Sequence, residues 1–314
     1  MSTANQANQS NRANSSNEPG GPAPADRPNS QNQMNLGTYA ENTWCKGCGN
    51  FGILSAVNEA IKSLVAGGLP PESLVLASGI GCHAKIVDYV NVNTFYSIHG
   101  RVPPTVTGIK LANRNLTVIG HAGDGDAYGE GLAHLIMSAK RNIDVTMIVH
   151  NNRVYGLTTG QATPTSPLGF PGRSTPRGSF EEPLNPIELM LSAGATFVAR
   201  GYSVKAKELA DLIVQAVKHK GFSFIDVLQP CFTFYNTYQF YNSRVYDLEG
   251  HDTSSLDAAH LKAKEWNYGE GERIPIGIFY RVEKPTFDQR ILRGKVLATR
   301  LEVPDVSRLI QTFK

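Results

Sequence analysis

Residues 118–136 read VIGHAGDGDAYGEGLAHLI. The stretch begins as an apolar run of buried-strand character and ends with apolar residues at helical spacing. Between the two, Ala122-Gly123-Asp124-Gly125-Asp126 interrupts the run with two glycines and two carboxylates. A change of chain direction needs only one or two such residues. A pair of acids on flexible backbone, where a strand gives way to a helix, points to a charged ligand.

The segments on either side decide the fold class. NFGILSAVNEAIKSLVAGG (50–68), PPTVTGIKLANR (103–114), GEGLAHLIMSAKRN (129–142) and VKAKELADLIVQAVKHKG (204–221) carry helical periodicity. SLVLASGIG (73–81), FYSIHG (95–100), LTVIGHAGDG (116–125), VTMIVHNN (145–152) and FSFIDVLQP (222–230) are short apolar runs that end in glycine or polar residues. Apolar strands alternating with helices predict an α/β fold, its parallel sheet covered by helices on both faces. Ligands in such sheets bind beyond the carboxyl ends of the strands. SGIGC, GDGD and HNN all fall at such ends.

Magnesium takes hard oxygen ligands and shares its coordination sphere with phosphates. Asp124 lies between Gly123 and Gly125, so its carboxylate can reach a cation while the backbone closes on a diphosphate. A helix beginning near Gly129 would direct N–H groups at the same anion. A second ligand is expected from the next strand end, and Asn152 follows Asp124 by 28 residues (152 − 124). The plainer alternative is a pair of polar turns, with Asp126 capping the following helix.

Composition sets the outer limits. A chain of 314 residues with 41% hydrophobic content is ordinary for a globular protein, and a net charge of +3 spread along it argues against nucleic acid as partner. No stretch approaches the roughly 20 apolar residues that span a bilayer, and no signal-peptide core follows the start, so no membrane association and a cytoplasmic chain are expected. Residues 1–34 are rich in Asn, Gln, Ser and Pro and are expected to be a disordered tail. Residues 35–240 form the expected α/β domain, and 241–314 an extension. The Gly- and Pro-rich segment 156–186 is long enough to be functional or mobile.

Four cysteines remain. Cys45 and Cys48 form a C-x-x-C ahead of a helix, Cys82 follows one strand and Cys231 another. In a cytoplasmic chain disulfides are improbable. Zinc, a redox dithiol, an iron–sulfur centre and idle thiols all use C-x-x-C. Zinc in a short knuckle would bring a second close pair, and a redox dithiol would not need the other two. Four cysteines match the four thiolates of a cubane cluster.

Taken together, GDGDAYGEG (123–131), RNIDVTMIVHNNRVYGLTTGQ (141–161), WCKGCGNFG, SGIGCHAK and PIGIFYRVEKPTF (275–287) resemble the β subunits of 2-oxoacid:ferredoxin oxidoreductases. The resemblance implies a thiamine-diphosphate-binding fold and an enzyme that oxidatively decarboxylates a 2-oxoacid, such as pyruvate or 2-oxoglutarate. Coenzyme A accepts the acyl group, and electrons leave through a [4Fe-4S] cluster to ferredoxin. On this resemblance Asp124, the Asn152 side chain and the Val154 carbonyl hold Mg2+. Cys45, Cys48, Cys82 and Cys231 ligate the cluster. Gly123, Gly125, Asp126, Tyr155, Gly156 and Leu157 border the cofactor, as do Ile80, Gly81, Cys82 and His83 after an earlier strand. His83 and His121 also read as structural histidines. His99, with Gly100 and Arg101, matches a segment near the thiamine, and His99 is the catalytic candidate of this chain. The resemblance implies that the glutamate that activates thiamine comes from a partner α (or fused γα) subunit; of this chain's Glu59 and Glu130, Glu130 sits beside the diphosphate loop, at the wrong end of the cofactor. Relatives often carry lysine where Thr159 stands. The competing reading is a non-oxidative thiamine-dependent decarboxylase, a lyase.

Overall fold

Glycine-bounded apolar runs become strands in this chain, and apolar residues three and four apart become buried helix faces. In a computed structural model, residues 34–269, 273–292 and 306–312 are described. The expected tail, apart from Met34, lies outside them. Helix α1 (Asn50–Ala66) buries Ile53, Val57, Ala60, Ile61 and Leu64 on one side and ends at Gly67. There follow β1 (Leu74–Ser78), α2 (Ile86–Tyr89), β2 (Asn93–Tyr96), α3 (Val102–Ala112), β3 (Thr117–Gly123), α4 (Leu132–Lys140) and β4 (Thr146–Asn151). After the long 156–186 segment come α5 (Pro186–Ser192), β5 (Phe197–Tyr202), α6 (Ala206–Lys218) and β6 (Ser223–Leu228). The chain continues through α7 (Tyr238–Asn242), β7 (Val245–Asp247), α8 (Leu256–Ala263) and β8 (Ile274–Arg281).

The strands form one eight-stranded sheet in the order β2-β1-β3-β4-β6-β5-β8-β7. Neighbours are parallel except β5 and β8, which are antiparallel. Val102 and Val106 of α3, Leu135 and Ala139 of α4, and Ile187 and Met190 of α5 cover one face over Met147, Val149 and Phe224. On the opposite face α1 packs against α6, which lies on β5 and β6. Among the described residues no helix is long and apolar enough to cross a membrane.

The structure departs from the sequence reading at four places. The strand expected at 95–100 lies at Asn93–Tyr96 on the sheet edge, where its side chains are exposed and an apolar run is a poor guide. The helix expected near Gly129 is preceded by a wide π-helical turn, Gly125–Glu130, that starts directly after Asp124. Strand β5 carries Arg200 in mid-strand, which hides it from hydrophobic patterning. Strands β7 and β8 come from the stretch read as an extension, and they complete the edge of the same sheet.

Strand β1 has β2 on one side and β3 on the other, so a crevice opens at the carboxyl ends of β1 and β3. The β3–β4 register pairs Gly123 with His150, which sets the Gly-Asp-Gly turn beside the Asn151–Asn152 end of β4. Beneath both, Asp226 of β6 is buried. It accepts hydrogen bonds from Tyr128 Oη (2.7 Å), Asn151 Nδ2 (3.0 Å) and Tyr268 Oη (2.9 Å), with Arg200 Nε at 3.8 Å. Asp226→Leu would leave the buried Arg200 guanidinium without its carboxylate. A loss of about 3–5 kcal/mol is expected in denaturant unfolding, and a change within 1 kcal/mol (about the worth of a single neutral hydrogen bond) would deny Asp226 this role.

Candidate functional site

Three strand ends converge on one cavity of about 110 Å3. The loop after β1 supplies Ile80, Gly81, Cys82 and His83. The turn after β3 supplies Gly123, Asp124, Gly125 and Asp126, and the segment after β4 supplies Asn152, Val154, Tyr155, Gly156 and Leu157. His99 reaches it from beyond β2, and His150, Thr158 and Gln229 line it without having been singled out from the sequence. Gly100 and Arg101 do not line it. The Gly100 N–H instead donates to Asp126 Oδ1 (2.5 Å), and Arg101 reaches the carbonyls of Gly100 (3.3 Å) and Glu130 (3.5 Å). A larger cavity of about 370 Å3 lies by α6 and β7 but gathers none of these groups.

Asp124 is buried and makes no ion pair among the described residues. Its Oδ2 accepts hydrogen bonds from Thr163 Oγ1 (2.5 Å) and Thr165 Oγ1 (2.8 Å). Burial pushes its carboxyl up to about 6 against the pull of those hydroxyls. A buried carboxylate without a counter-charge fits a cation ligand. Asn152 Oδ1 accepts the Val154 N–H (3.1 Å), a tight turn that holds Asn152 and Val154 together on the cavity wall. Gly125 is compelled by space, since a Cβ there would lie 2.1 Å from Tyr155 Cε1. The segment 156–186 thus acts on the site through Thr163 and Thr165. Only its Thr-Pro-Thr-Ser polarity hinted at this.

Asp126 lines the cavity and does not cap a helix with its side chain. Its carboxylate accepts from the Gly100 N–H and lies 2.6 Å from His99 Nδ1. His83 Nε2 stands 3.3 Å from Oδ2, within ion-pair reach but off the line of a hydrogen bond. Burial would raise the Asp126 carboxyl, but His83, His99 and Gly100 outweigh it and hold it well below the usual range. The Asp126 hydrogen bond in turn raises His99, against the effect of burial. His99 Nε2 is 3.3 Å from Glu130, whose carboxylate also accepts from Tyr155 Oη. Under the loop, His121 Nδ1 meets His150 Nε2 (3.0 Å) and His150 Nδ1 meets Asn50 Oδ1 (2.8 Å). Burial lowers His121 to about 3 and His150 well below its ordinary value, so both are neutral. At Thr159 the Arg173 guanidinium donates to the hydroxyl.

The four cysteines border a second cavity of about 240 Å3. Cys48 N–H bonds to Cys45 O (3.0 Å), Gly49 N–H to Pro230 O (3.1 Å) and Trp44 Nε1 to Cys82 O (2.6 Å), which joins three distant segments. Among the described residues no three His, Cys, Asp or Glu side chains converge tightly enough for a single metal ion. The thiols border this space instead of meeting at a point. Burial and the neighbouring cysteines push Cys48 up to about 12, although the Asn50 backbone opposes them. Burial and Cys231 push Cys82 up to about 11. Such thiols ionise on metal binding. Cys82, Asn152, Gly156, Leu157 and Gln229 line both cavities. A Cβ on Gly156 would come 3.4 Å from Cys82 Sγ and 4.0 Å from Cys231 Sγ.

Residues 79–227 match the thiamine pyrophosphate enzyme C-terminal TPP-binding domain, so the chain carries a thiamine-diphosphate-binding domain. Residues 230–295 match the C-terminal region of pyruvate ferredoxin oxidoreductase beta subunits. The chain is 46% identical to the 2-oxoacid:ferredoxin oxidoreductase subunit beta of Saccharolobus solfataricus, over 80% of this chain and 85% of that one. It is 37% identical to the 2-oxoglutarate synthase subunit KorB of Methanothermobacter thermautotrophicus, over 79% and 85% of the two chains. The solved 2-oxoglutarate:ferredoxin oxidoreductase from Magnetococcus marinus superposes with a TM-score of 0.81 at 34% identity, over 89% of this chain and 94% of that one. That structure holds 2-oxoglutarate, coenzyme A and succinyl-CoA. The chain belongs to the family of 2-oxoacid:ferredoxin oxidoreductase β subunits.

The raised Asp124 value has a consequence with a definite sign. Ionising a carboxyl whose folded value lies above its unfolded ~3.9 costs the folded chain stability. That cost is absent below about pH 4 and complete above about pH 6. Without divalent cations, Asp124→Asn should therefore gain stability relative to the parent chain as pH rises through this window. Thermal melting of both at several pH values checks it, and parallel curves would rule it out.

Proposed function

We propose that this chain is the catalytic β subunit of a 2-oxoacid:ferredoxin oxidoreductase that converts a 2-oxoacid to its acyl-CoA with an α (or fused γα) partner. Mg2+ is held by Asp124, Asn152 and the Val154 carbonyl, and a [4Fe-4S] cluster by Cys45, Cys48, Cys82 and Cys231. The observation that carries this reading is the shared wall: the thiamine-side cavity and the four-cysteine cavity have five lining residues in common. Thiamine diphosphate supplies the electron sink for decarboxylation, and the cluster lets electrons leave one at a time towards ferredoxin.

The chain's own residues do the positioning. Asp124 is fixed by Thr163 and Thr165, so the cation and diphosphate meet a preset carboxylate. Gly123, Gly125, Asp126, Tyr155, Gly156 and Leu157 shape the cradle, with Ile80, Gly81 and His83 opposite. His99, held at Nδ1 by Asp126, presents Nε2 at the rim, where it can keep or pass a proton. A cavity of about 110 Å3 is smaller than the roughly 300 Å3 or more of a complete small-molecule site, which supports completion by the partner. Glu59 does not line the cavity, and Glu130 is engaged with His99 and Tyr155, so the thiamine-activating glutamate is assigned to the partner. Within 241–314, β7 and β8 complete the sheet, and exposed apolar side chains such as Leu261 and Ile291 are assigned to partner contact. The cytoplasm suits the four free thiols.

The test uses the chain co-purified with its α partner under anaerobic conditions. Thiamine diphosphate, Mg2+, coenzyme A and one 2-oxoacid at a time are added while the cluster's visible absorbance is followed. Bleaching that needs the 2-oxoacid and is absent in Asp124→Ala is expected. Release of aldehyde by a preparation without iron would establish the lyase instead. Thr165→Val, which removes only a hydroxyl behind Asp124, should weaken Mg2+-dependent thiamine diphosphate binding by about 10–100-fold, measured by fluorescence or calorimetry.

A further inference from the structure

Gln229 follows β6 and is almost completely buried, with 1% of its surface exposed. Its backbone N–H bonds to Asn151 O (2.9 Å), which extends the β4–β6 ladder by one residue and fixes where the side chain starts. The carboxamide nitrogen has two hydrogens and two acceptors in reach. Nε2 donates to Pro230 O (3.0 Å) and to Cys48 Sγ (3.6 Å). Gly49, next to Cys48, leaves room for this: a Cβ there would lie 3.0 Å from Gln229 Cγ. The side chain therefore arrives in one orientation, with its donor aimed at one particular sulfur. It also lines both the four-cysteine cavity and the thiamine-side cavity.

We propose that Gln229 is a positioning residue that raises the reduction potential of the iron–sulfur cluster through an N–H···S hydrogen bond to Cys48. The inference rests on the reading that the four cysteines hold a [4Fe-4S] cluster. One-electron reduction adds one negative charge to the cluster and its thiolates. The electron comes from oxidation of the 2-oxoacid, which yields two electrons per turnover, and passes on to ferredoxin. A fixed donor at a ligating sulfur stabilises the more negative, reduced form more than the oxidised one, so the potential rises. Because the donor is buried and already oriented, little reorganisation offsets the effect. A cation, Lys85, hydrogen-bonded to Thr43, acts on Cys82 in the same sense. Gln229 serves Cys48, which lies on a different segment of the chain.

The experiment uses the anaerobic complex with its α partner and compares the parent with Gln229→Leu and Gln229→Glu. Iron and sulfide per chain and the electron paramagnetic resonance of the reduced cluster are measured first, then the midpoint potential at several pH values. In Gln229→Leu, iron content and line shape should hold while the midpoint moves negative. At the parent's midpoint the reduced-to-oxidised ratio should fall about three- to tenfold, a tenfold fall being about 59 mV for one electron. Gln229→Glu should approach the parent at low pH, where the protonated acid again donates, and move more negative as it ionises. A parent without iron or sulfide would overturn the cluster reading itself. Full iron with unchanged midpoints in both variants would overturn the Gln229 proposal alone, as would loss of the cluster from both, which makes Gln229 a structural prop.

Discussion

A carboxylate stripped of water must be met by donors, and Asp226 is the point where this chain meets that demand. Its partners come from four separate stretches: Tyr128 in the turn after Asp124, Asn151 at the end of β4, Arg200 in β5 and Tyr268 beyond α8. Burial pushes the Asp226 carboxyl up, and Arg200 with the three hydrogen bonds pulls against it. The network then continues to the surface of the site. Thr165 Oγ1 lies 3.0 Å from Asn151 Oδ1 and 2.8 Å from Asp124 Oδ2. Its one proton serves two acceptors, and Thr163 covers Asp124 when Thr165 turns to Asn151. The loop geometry above the sheet is thus tied to a polar anchor below it.

The same principle explains why the two cavities lie wall to wall. Parallel pairing places the ends of β1, β3, β4 and β6 along one edge, and each end continues into a residue with chemistry: Cys82, Asp124, Asn152, Cys231. The Trp44 indole N–H, bonded to the Cys82 carbonyl, and the Gly49 N–H, bonded to the Pro230 carbonyl, then hold the N-terminal Cys45–Cys48 turn across to Cys82 and Pro230. At Gly156, which lines both cavities, no side chain stands between them.

Much of the site was legible in the sequence because the signals were local. Gly-Asp-Gly at a strand end, Asn-Asn one helix and one strand later, and C-x-x-C before a helix are all short-range patterns. The residues that went unseen act across the fold. Thr163 and Thr165 sit in a loop whose composition resembles any Gly- and Pro-rich turn, and their target lies about 40 positions earlier. Gln229 meets Cys48 across 181 positions. Asp126 reads as a cofactor-lining residue or a cap, and nothing local tells that His83, His99 and Gly100 will meet its carboxylate.

The sequence by itself determined the alternation of helix and strand, the parallel character of the sheet's centre and the identity of the carboxylate- and thiol-bearing turns. Those follow from hydrophobic periodicity and from the backbone freedom of glycine, both of which act within a few residues. Only the tertiary structure decided that β8 runs antiparallel at the sheet edge, that β5 can bury Arg200, and which hydroxyl or amide turns toward Asp124 and Cys48. Strand direction and the pairing of buried polar groups depend on which distant segment arrives beside them, and a buried donor accepts whichever partner the packing delivers.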